Sequence, residues 1–162
     1  MKDAGIIAHL DRDIVLGFLA TFSRFEYALK RQPKYLKALN GAASADWGKF
    51  GVEIRGRFSE IDVPDFASAV AYFLTQPPQQ QVVLDGRLSW RALRQETGVS
   101  EEEFVLRCVK TIRNNLFHGG KFPEGPMPEP ERDTTLLRHG ILVLGECLRL
   151  DSRVQEAFDS AA

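Results

Sequence analysis

The chain has 162 residues, with 21 basic and 22 acidic side chains and a formal net charge of −1. This balance excludes a protein that is basic over its whole surface, but it allows a local basic patch. No apolar run approaches the ~18 residues of a membrane span, and charged residues near the start argue against a signal peptide. The two cysteines lie far apart without metal-ligand spacing, so we expect neither zinc nor a disulfide. We therefore expect one cytoplasmic domain over residues 1–162, without a membrane segment, metal or cofactor.

Helical periodicity dominates the chain. Apolar residues recur at three- and four-residue steps through residues 7–29, which predicts a long first helix that ends before Pro33. The sum of these patterns predicts an all-α bundle with a long first helix. The other predicted helices lie around residues 35–39, 47–61, 64–74, 90–96 and 104–116, and a last one follows Asp133 or Thr134.

Helix starts and stops are marked by capping and turn residues. Glycines within the second long helix, among them Gly51, could let another helix approach closely. The predicted irregular segments are a surface loop at residues 76–81 and a Pro-rich loop at residues 123–132, while residues 82–84 could be a strand or a loop. Helix starts are indicated by Ser44 or Asp46, by Asp62-Val63-Pro64, by Ser89 and by the capping box Ser100-Glu101-Glu102-Glu103. Helix stops are indicated by Asn40-Gly41, Gly98 and Gly119-Gly120.

One segment concentrates positive charge. No nucleotide-binding glycine loop, zinc-protease motif or serine-hydrolase motif occurs, so most enzyme classes with readable motifs lack support. Between Phe104 and Pro123, in contrast, there is no Asp or Glu, and a second acid-free interval covers residues 27–45 with Lys30 among its cations. If the two intervals pack together, they form a groove suited to a phosphate backbone. The polar residues of the first segment are Arg107, Lys110, Arg113, Asn114, Asn115, His118 and Lys121.

The spacing within this segment restricts how its side chains can meet. Asn114 and His118 are four residues apart and lie on one helix face. Arg113 and His118 are five apart, about 140° around an ideal helix. They can share a site if the helix unwinds at Gly119, or if two copies of the helix meet across a two-fold axis.

These residue types fit the metal-free cleavage of RNA by its own 2′-hydroxyl. The substrate carries the nucleophile, so the enzyme must align it, move two protons and stabilise a phosphorane. An imidazole such as that of His118 can move the protons, and the helix C-terminus favours its protonated form. A guanidinium such as that of Arg113 is suited to the phosphorane charge.

Several alternatives remain open at the level of sequence. His118 could simply end a helix, Asn115 could be a polar surface residue, and Glu26 could form an ordinary i,i+4 pair with Lys30. The chain could then be a noncatalytic module that binds a nucleotide, RNA or a protein. A third alternative is an oligomerisation domain whose interface consists of Phe18, Phe22 and Phe25.

The string Arg113-Asn114-Asn115-Leu116-Phe117-His118, followed by Gly-Gly-Lys, resembles the Arg-polar-x-x-x-His signature of HEPN domains (higher eukaryotes and prokaryotes nucleotide-binding). HEPN motifs allow four to six residues between Arg and His, and this chain has four. The first-helix string Phe22-Ser23-Arg24-Phe25-Glu26-Tyr27-Ala28-Leu29-Lys30 is similar to a subgroup of these domains.

The resemblance implies a dimeric helical bundle whose two motif helices face each other. It also implies a metal-independent endoribonuclease, often a toxin or defence effector with an antitoxin partner, although some HEPN domains have lost catalysis. By position, Arg113 would stabilise the scissile phosphate and His118 would be the general acid or base. Asn114 would orient His118 or the ribose, and Glu26 could orient Arg113. The expected RNA-binding residues are Arg107, Lys110, Asn115, Lys121 and Lys30.

Overall fold

The structure, a computed structural model, describes residues 10–117 and 129–161. Within these ranges the chain forms six α-helices, one 3₁₀ helix and four strands. In chain order they are α1 (Arg12–Lys30), the 3₁₀ helix (Pro33–Tyr35), β1 (Leu36–Leu39), β2 (Ala42–Ala45), α2 (Trp47–Phe58), α3 (Pro64–Thr75), β3 (Gln79–Leu84), β4 (Arg87–Ala92), α4 (Glu101–Phe117), α5 (Pro130–Leu148) and α6 (Ser152–Asp159).

The predicted all-α fold is wrong, because two antiparallel hairpins interrupt the helices: β1 pairs with β2, and β3 with β4. Each hairpin turns at a two-residue step with positive φ, at 50° and 81° for Asn40-Gly41 and at 50° and 73° for Asp85-Gly86. Asn-Gly and Asp-Gly favour the turn whose twist matches a hairpin, so these pairs join strands instead of ending helices.

Two short predicted helices are therefore strands. The segment at residues 35–39 leaves the 3₁₀ helix and becomes β1, and the segment at residues 90–96 overlaps β4. The strand alternative for residues 82–84 is confirmed, since Val82 pairs with Ser89 within the second hairpin. The predicted loop at residues 76–81 is shorter than expected because β3 already begins at Gln79.

The boundaries of the longer helices agree better with the sequence. Asp46 caps α2 by accepting the Lys49 N–H at 3.2 Å, and α3 begins at Pro64, as predicted. Ser100 precedes α4, and its backbone N–H donates to the Glu103 carboxylate at 3.3 Å, which is one half of a capping box.

The last predicted loop is shortened at its C-terminal end. Helix α5 begins at Pro130, so residues 130–132 are helical and not part of a loop. A proline at the first helical position loses no hydrogen bond there, because that N–H has no partner within the helix. Residues 123–128 and the predicted stop at Gly119-Gly120 lie outside the described residues.

The aromatic face of α1 forms the centre of the core. Phe18, Phe22 and Phe25 are at most 3% exposed, and α1 packs against α5, α6 and β2. Phe22 and Phe25 both stack on Trp47, with ring centroids 5.1 and 5.3 Å away. The hypothesis that these three phenylalanines form an oligomer interface is therefore wrong, because their rings are inside the subunit.

A buried polar network fixes the 3₁₀ helix, which precedes the first hairpin, to the N-terminus of α6. The hydroxyl of Tyr35, a residue with no exposed surface, donates to Asp151 Oδ2 at 2.8 Å. Lys34 Nζ lies 2.9 Å from the same oxygen, while the other carboxylate oxygen caps α6. Burial alone would raise the pKa of Asp151, but the hydrogen bonds from Lys34 and Tyr35 lower it overall. Asp151 therefore stays ionised while it joins the 3₁₀ helix to the start of α6.

Helix α4 is placed by close contact with α2. A Cβ added at Gly51 would lie 2.9 Å from Glu103 Cγ, so the sequence expectation of a close helix approach holds at this glycine. Arg55 of α2 donates to Glu102 at 2.7 Å and to Glu103 at 3.1 Å. These contacts hold the N-terminal half of α4, and its C-terminal half carries the predicted motif.

One half-buried imidazole lies between α3 and α5. The ring of His139 packs edge-on against Tyr72 at 4.9 Å and near Phe73 at 6.2 Å. Its Nδ1 is buried without a hydrogen-bond partner, and burial lowers the pKa of the imidazole. The fold therefore favours neutral His139.

We expect His139 to make the protein less stable under mild acid. Because its folded-state pKa lies below the ordinary 6.5, the unfolded chain binds the extra proton first as the pH falls. Stability should fall from pH 6.5 down to the folded-state pKa, with a slope of at most about 1.4 kcal/mol per pH unit. Urea unfolding between pH 7.5 and about pH 5 should show a shallower slope for His139→Gln than for the wild type. Equal slopes would contradict this account.

Candidate functional site

Arg113 occupies a defined position near the end of α4. Its guanidinium carbon lies 5.0 Å from the ring centroid of Phe117, one turn further along, and 5.7 Å from that of Phe22 in α1. Its Nη1 donates to Asn114 Oδ1 at 3.1 Å. The guanidinium is thus flanked by two aromatic rings, and its contact with Asn114 leaves other N–H groups for a ligand.

Four residues form a stripe on one face of α4: Lys110, Arg113, Asn114 and Phe117. They follow the i, i+3, i+4, i+7 pattern of a single helix face and extend over about 10 Å. The apolar ladder of the same helix is buried on another face. We call this set the α4 stripe. It combines two cations, an amide and an exposed aromatic ring.

Lys110 is a half-buried cation within the stripe. Among the residues that the structure describes, no carboxylate lies within ion-pair distance of its ammonium group. Burial lowers the pKa of Lys110 and the charge of Lys37 lowers it further, whereas Glu26 and Asp46 oppose the shift. Lys37 belongs to the second acid-free interval, so the two intervals approach each other here.

The carboxylate of Glu26 pairs with Lys30 and not with Arg113. Its carboxylate lies 3.6 Å from Lys30 Nζ in the i,i+4 arrangement that was the alternative interpretation of the sequence. The groups that position Arg113 are instead Asn114 and the two rings. Glu26 nevertheless acts electrostatically on Lys110 of the α4 stripe.

Besides Lys30, two more of the expected RNA-binding residues have structural partners. Arg107 Nη1 donates to Glu96 at 2.9 Å, and Asn115 Nδ2 donates to the Gln79 carbonyl at 2.7 Å. The second bond fastens the end of α4 to β3. Asn115 therefore supports the position of the motif helix, and Arg107 already has a counter-charge.

Two other expected site residues, His118 and Lys121, lie outside the described residues. Within the described ranges, no group of His, Cys, Asp and Glu side chains could hold a metal ion, and no helix there is long and apolar enough to cross a membrane. Burial raises the pKa of the Cys108 thiol to about 12 and that of Cys147 further. Neither thiol is ionised near neutral pH, so neither is a candidate nucleophile.

The sequence missed the two rings that flank Arg113. Phe117 could have been found, because it lies four residues after Arg113 and therefore one turn away on the same helix face. Phe22 could not, because its approach to Arg113 depends on how α1 and α4 pack. The sequence placed Phe22 only in an apolar stripe, which says nothing about its neighbours.

Comparison with known proteins does not assign the chain to a family. No protein-family model, curated protein or solved structure matches it. The HEPN interpretation therefore rests on the residues of the chain and on the geometry of the α4 stripe.

We expect Lys110→Met to raise the free energy of unfolding at pH 7 by about 1 kcal/mol, because the half-buried charge is desolvated without an ion-pair partner. Desolvation of the charged ammonium destabilises the folded state at neutral pH. This destabilisation diminishes as the pH rises from the lowered folded-state pKa of Lys110 to the ordinary 10.5. The advantage of the variant should therefore shrink at pH 10. Urea unfolding at pH 7 and pH 10 measures the difference in stability between the variant and the wild type. Lys49→Met, at an exposed lysine, serves as the control. A destabilised Lys110→Met would show that the ammonium makes a favourable contact.

Proposed function

We propose that this protein is a metal-independent endoribonuclease of the HEPN type, cleaving RNA through its 2′-hydroxyl. The observation that carries the proposal is the contact of Arg113 with the rings of Phe22 and Phe117, beside Lys110, which has no ion-pair partner among the described residues. A charged guanidinium that already has a fixed orientation can bind a phosphodiester without reorganising, which is the condition for stabilising charge in a transition state.

Arg113 stabilises the phosphorane in this proposal. Its planar fork matches two non-bridging oxygens, and those oxygens carry more negative charge in the transition state than in the substrate. Lys110 supplies a second positive charge one turn earlier in α4. Lys30 and Lys37 add less positive charge to the surface along which the RNA backbone runs, because Lys30 Nζ lies 3.6 Å from Glu26 and Lys37 Nζ lies 3.3 Å from Asp46.

His118 follows Phe117 directly and moves protons. One imidazole accepts the proton of the 2′-hydroxyl as its oxygen attacks phosphorus, and a protonated imidazole donates to the departing 5′-oxygen. The P–O5′ bond breaks as the P–O2′ bond forms, which leaves a 2′,3′-cyclic phosphate and a 5′-hydroxyl. No oxidant, cofactor or enzyme-bound nucleophile takes part.

A dimer supplies the second imidazole. One copy of the motif has one His118, whereas the reaction moves two protons, and a two-fold axis between motif helices brings two such residues to one phosphate. Leu16 and Tyr27 are 64% and 47% exposed on the outward face of α1 and offer apolar surface to a second copy. An RNA-cleaving toxin or defence effector restrained by an antitoxin protein is the biological setting that fits this activity.

A noncatalytic module that binds nucleotides or RNA is the second candidate. The observation that favours it is the pairing of Arg107 with Glu96 and of Asn115 with Gln79, because it leaves a smaller polar site than the sequence predicted. In that case the α4 stripe would bind a phosphate without any bond being broken.

Cleavage of labelled RNA in excess EDTA tests the proposal. We expect activity in EDTA and no cut at a site whose nucleotide carries 2′-deoxyribose, since the nucleophile is then missing. Arg113→Ala should lower kcat/KM by about 100-fold or more, because a donor to the transition-state charge is lost. Arg113→Lys should recover part of the rate through its charge, and the exposed Arg138→Ala on α5 serves as the matched control.

The same assay separates the two candidates. A strict requirement for a divalent metal, or full activity of Arg113→Ala, would overturn the nuclease proposal. RNA binding that is weakened by Arg113→Ala, without any fragment even at high protein concentration, would favour the noncatalytic module.

A further inference from the structure

Phe117 is an aromatic side chain that the fold leaves in solvent. It is 59% exposed, whereas the phenylalanines of α1 and α2 are at most 3% exposed. A single exposed apolar residue is common on protein surfaces and needs no explanation by itself. Here, however, the ring lies beside the guanidinium of Arg113, in the same stripe as Lys110. The ring is thus part of a cationic site.

The surroundings of Phe117 indicate the chemistry of its ligand. An apolar protein partner would have to cover Arg113, Asn114 and Lys110 as well, which would desolvate two cations without compensation. A nucleotide avoids this cost, because it combines an anionic phosphate with a flat aromatic base. The guanidinium carbon lies 5.0 Å from the ring centroid, so a phosphate bound by Arg113 and a base on Phe117 would occupy adjacent positions.

We propose that Phe117 is the stacking platform for the nucleobase next to the phosphate held by Arg113. This inference rests on the proposed function and deepens it, because it defines the form of RNA that the site accepts. Arg113 occupies one side of the ring, and the exposed remainder receives the base. Phe117 is then a specificity-determining residue.

Stacking on a side chain requires an unpaired base. In an RNA duplex, the base faces are covered by neighbouring bases and only the edges and the backbone are accessible. The substrate at the site of cleavage is therefore single-stranded. Stacking by itself accepts any base, because every base has a π-face, so base identity should alter binding only modestly.

Binding of RNA that cannot be cleaved tests the inference without catalysis. The probe is a fluorescein-labelled heptanucleotide with 2′-O-methyl groups throughout, followed by fluorescence anisotropy. We expect the single strand to bind at least about 10-fold more tightly than the same strand in a duplex. A single abasic substitution, moved along the strand, should weaken binding about 5- to 100-fold at one position.

Variants of Phe117 test whether the aromatic ring causes the abasic penalty, that is, the weaker binding of a strand with an abasic substitution at the one sensitive position. Phe117→Ala should bind the intact strand about 10-fold more weakly and lose the abasic penalty, while Phe117→Trp should retain both tight binding and the penalty. Leu88→Ala is the matched control, because Leu88 is 61% exposed on β4. Because the ring of Phe117 is so exposed, its substitution should leave the circular dichroism spectrum unchanged. Tight binding by Phe117→Trp would show that the weaker binding of Phe117→Ala results from lost stacking.

The outcomes separate this inference from the proposed function. An equal abasic penalty in wild type and Phe117→Ala, or no detectable binding of the single strand, overturns the inference even if RNA is cleaved. A penalty that depends on Phe117 supports the inference even if no RNA is cleaved, and in that case only the catalytic proposal fails.

Discussion

The contacts of Phe22 in α1 with Trp47 in α2 and Arg113 in α4 are the interactions on which both core and site depend. The buried ring of Phe22 stacks on Trp47, and the guanidinium of Arg113 lies over the same ring. Aromatic pairs of this kind contribute about 0.5–1.5 kcal/mol beyond the area they bury. The side chain of Phe22 therefore stabilises the packing of the helices and also orients the guanidinium of Arg113. The position of Arg113 thus depends on the packing of the core.

This arrangement also explains how positive charge is kept available on α4. Arg55 of α2 and Arg107 of α4 are paired with carboxylates, whereas Arg113 is held by rings and an amide, and Lys110 is half-buried with no ion pair to any residue that the structure describes. A guanidinium over an aromatic face is oriented without losing its charge. An ion pair would orient it too, but would neutralise the field that a phosphate encounters. A cost in stability at such a site is typical of functional residues.

The sequence predicted the long helices because their apolar periodicity and caps agree with the tertiary structure, as Asp46 and Pro64 show. The prediction from sequence failed at the two hairpins because the turn residues there can be interpreted in two ways. Asn40-Gly41 can end a helix or turn a hairpin, and the exposed strands around it have no apolar alternation to decide between the two. Ser89 resembles a cap and so predicts a helix at Trp90, whereas Asp85-Gly86 is the stronger signal and predicts the observed hairpin turn.

The candidate site was predictable where it depends on one helix. Spacing along α4 brings Lys110, Arg113 and Asn114 together on one face, as four-residue periodicity requires. Contacts between elements were not predictable: the bond from Asn115 to Gln79 needs the second hairpin beside α4, and Phe22 reaches Arg113 only after α1 and α4 pack. A pattern in one segment cannot show which distant segment supplies its partners.

The most direct test of the account is a crystal structure of the protein with a short RNA blocked by a single 2′-deoxy nucleotide at the cleavage site. We expect two subunits around one RNA strand, with the scissile phosphate within hydrogen-bonding distance of the Arg113 guanidinium and an imidazole of His118 near the leaving 5′-oxygen. A phosphate bound elsewhere, with Arg113 still facing solvent between its two rings, would contradict the account.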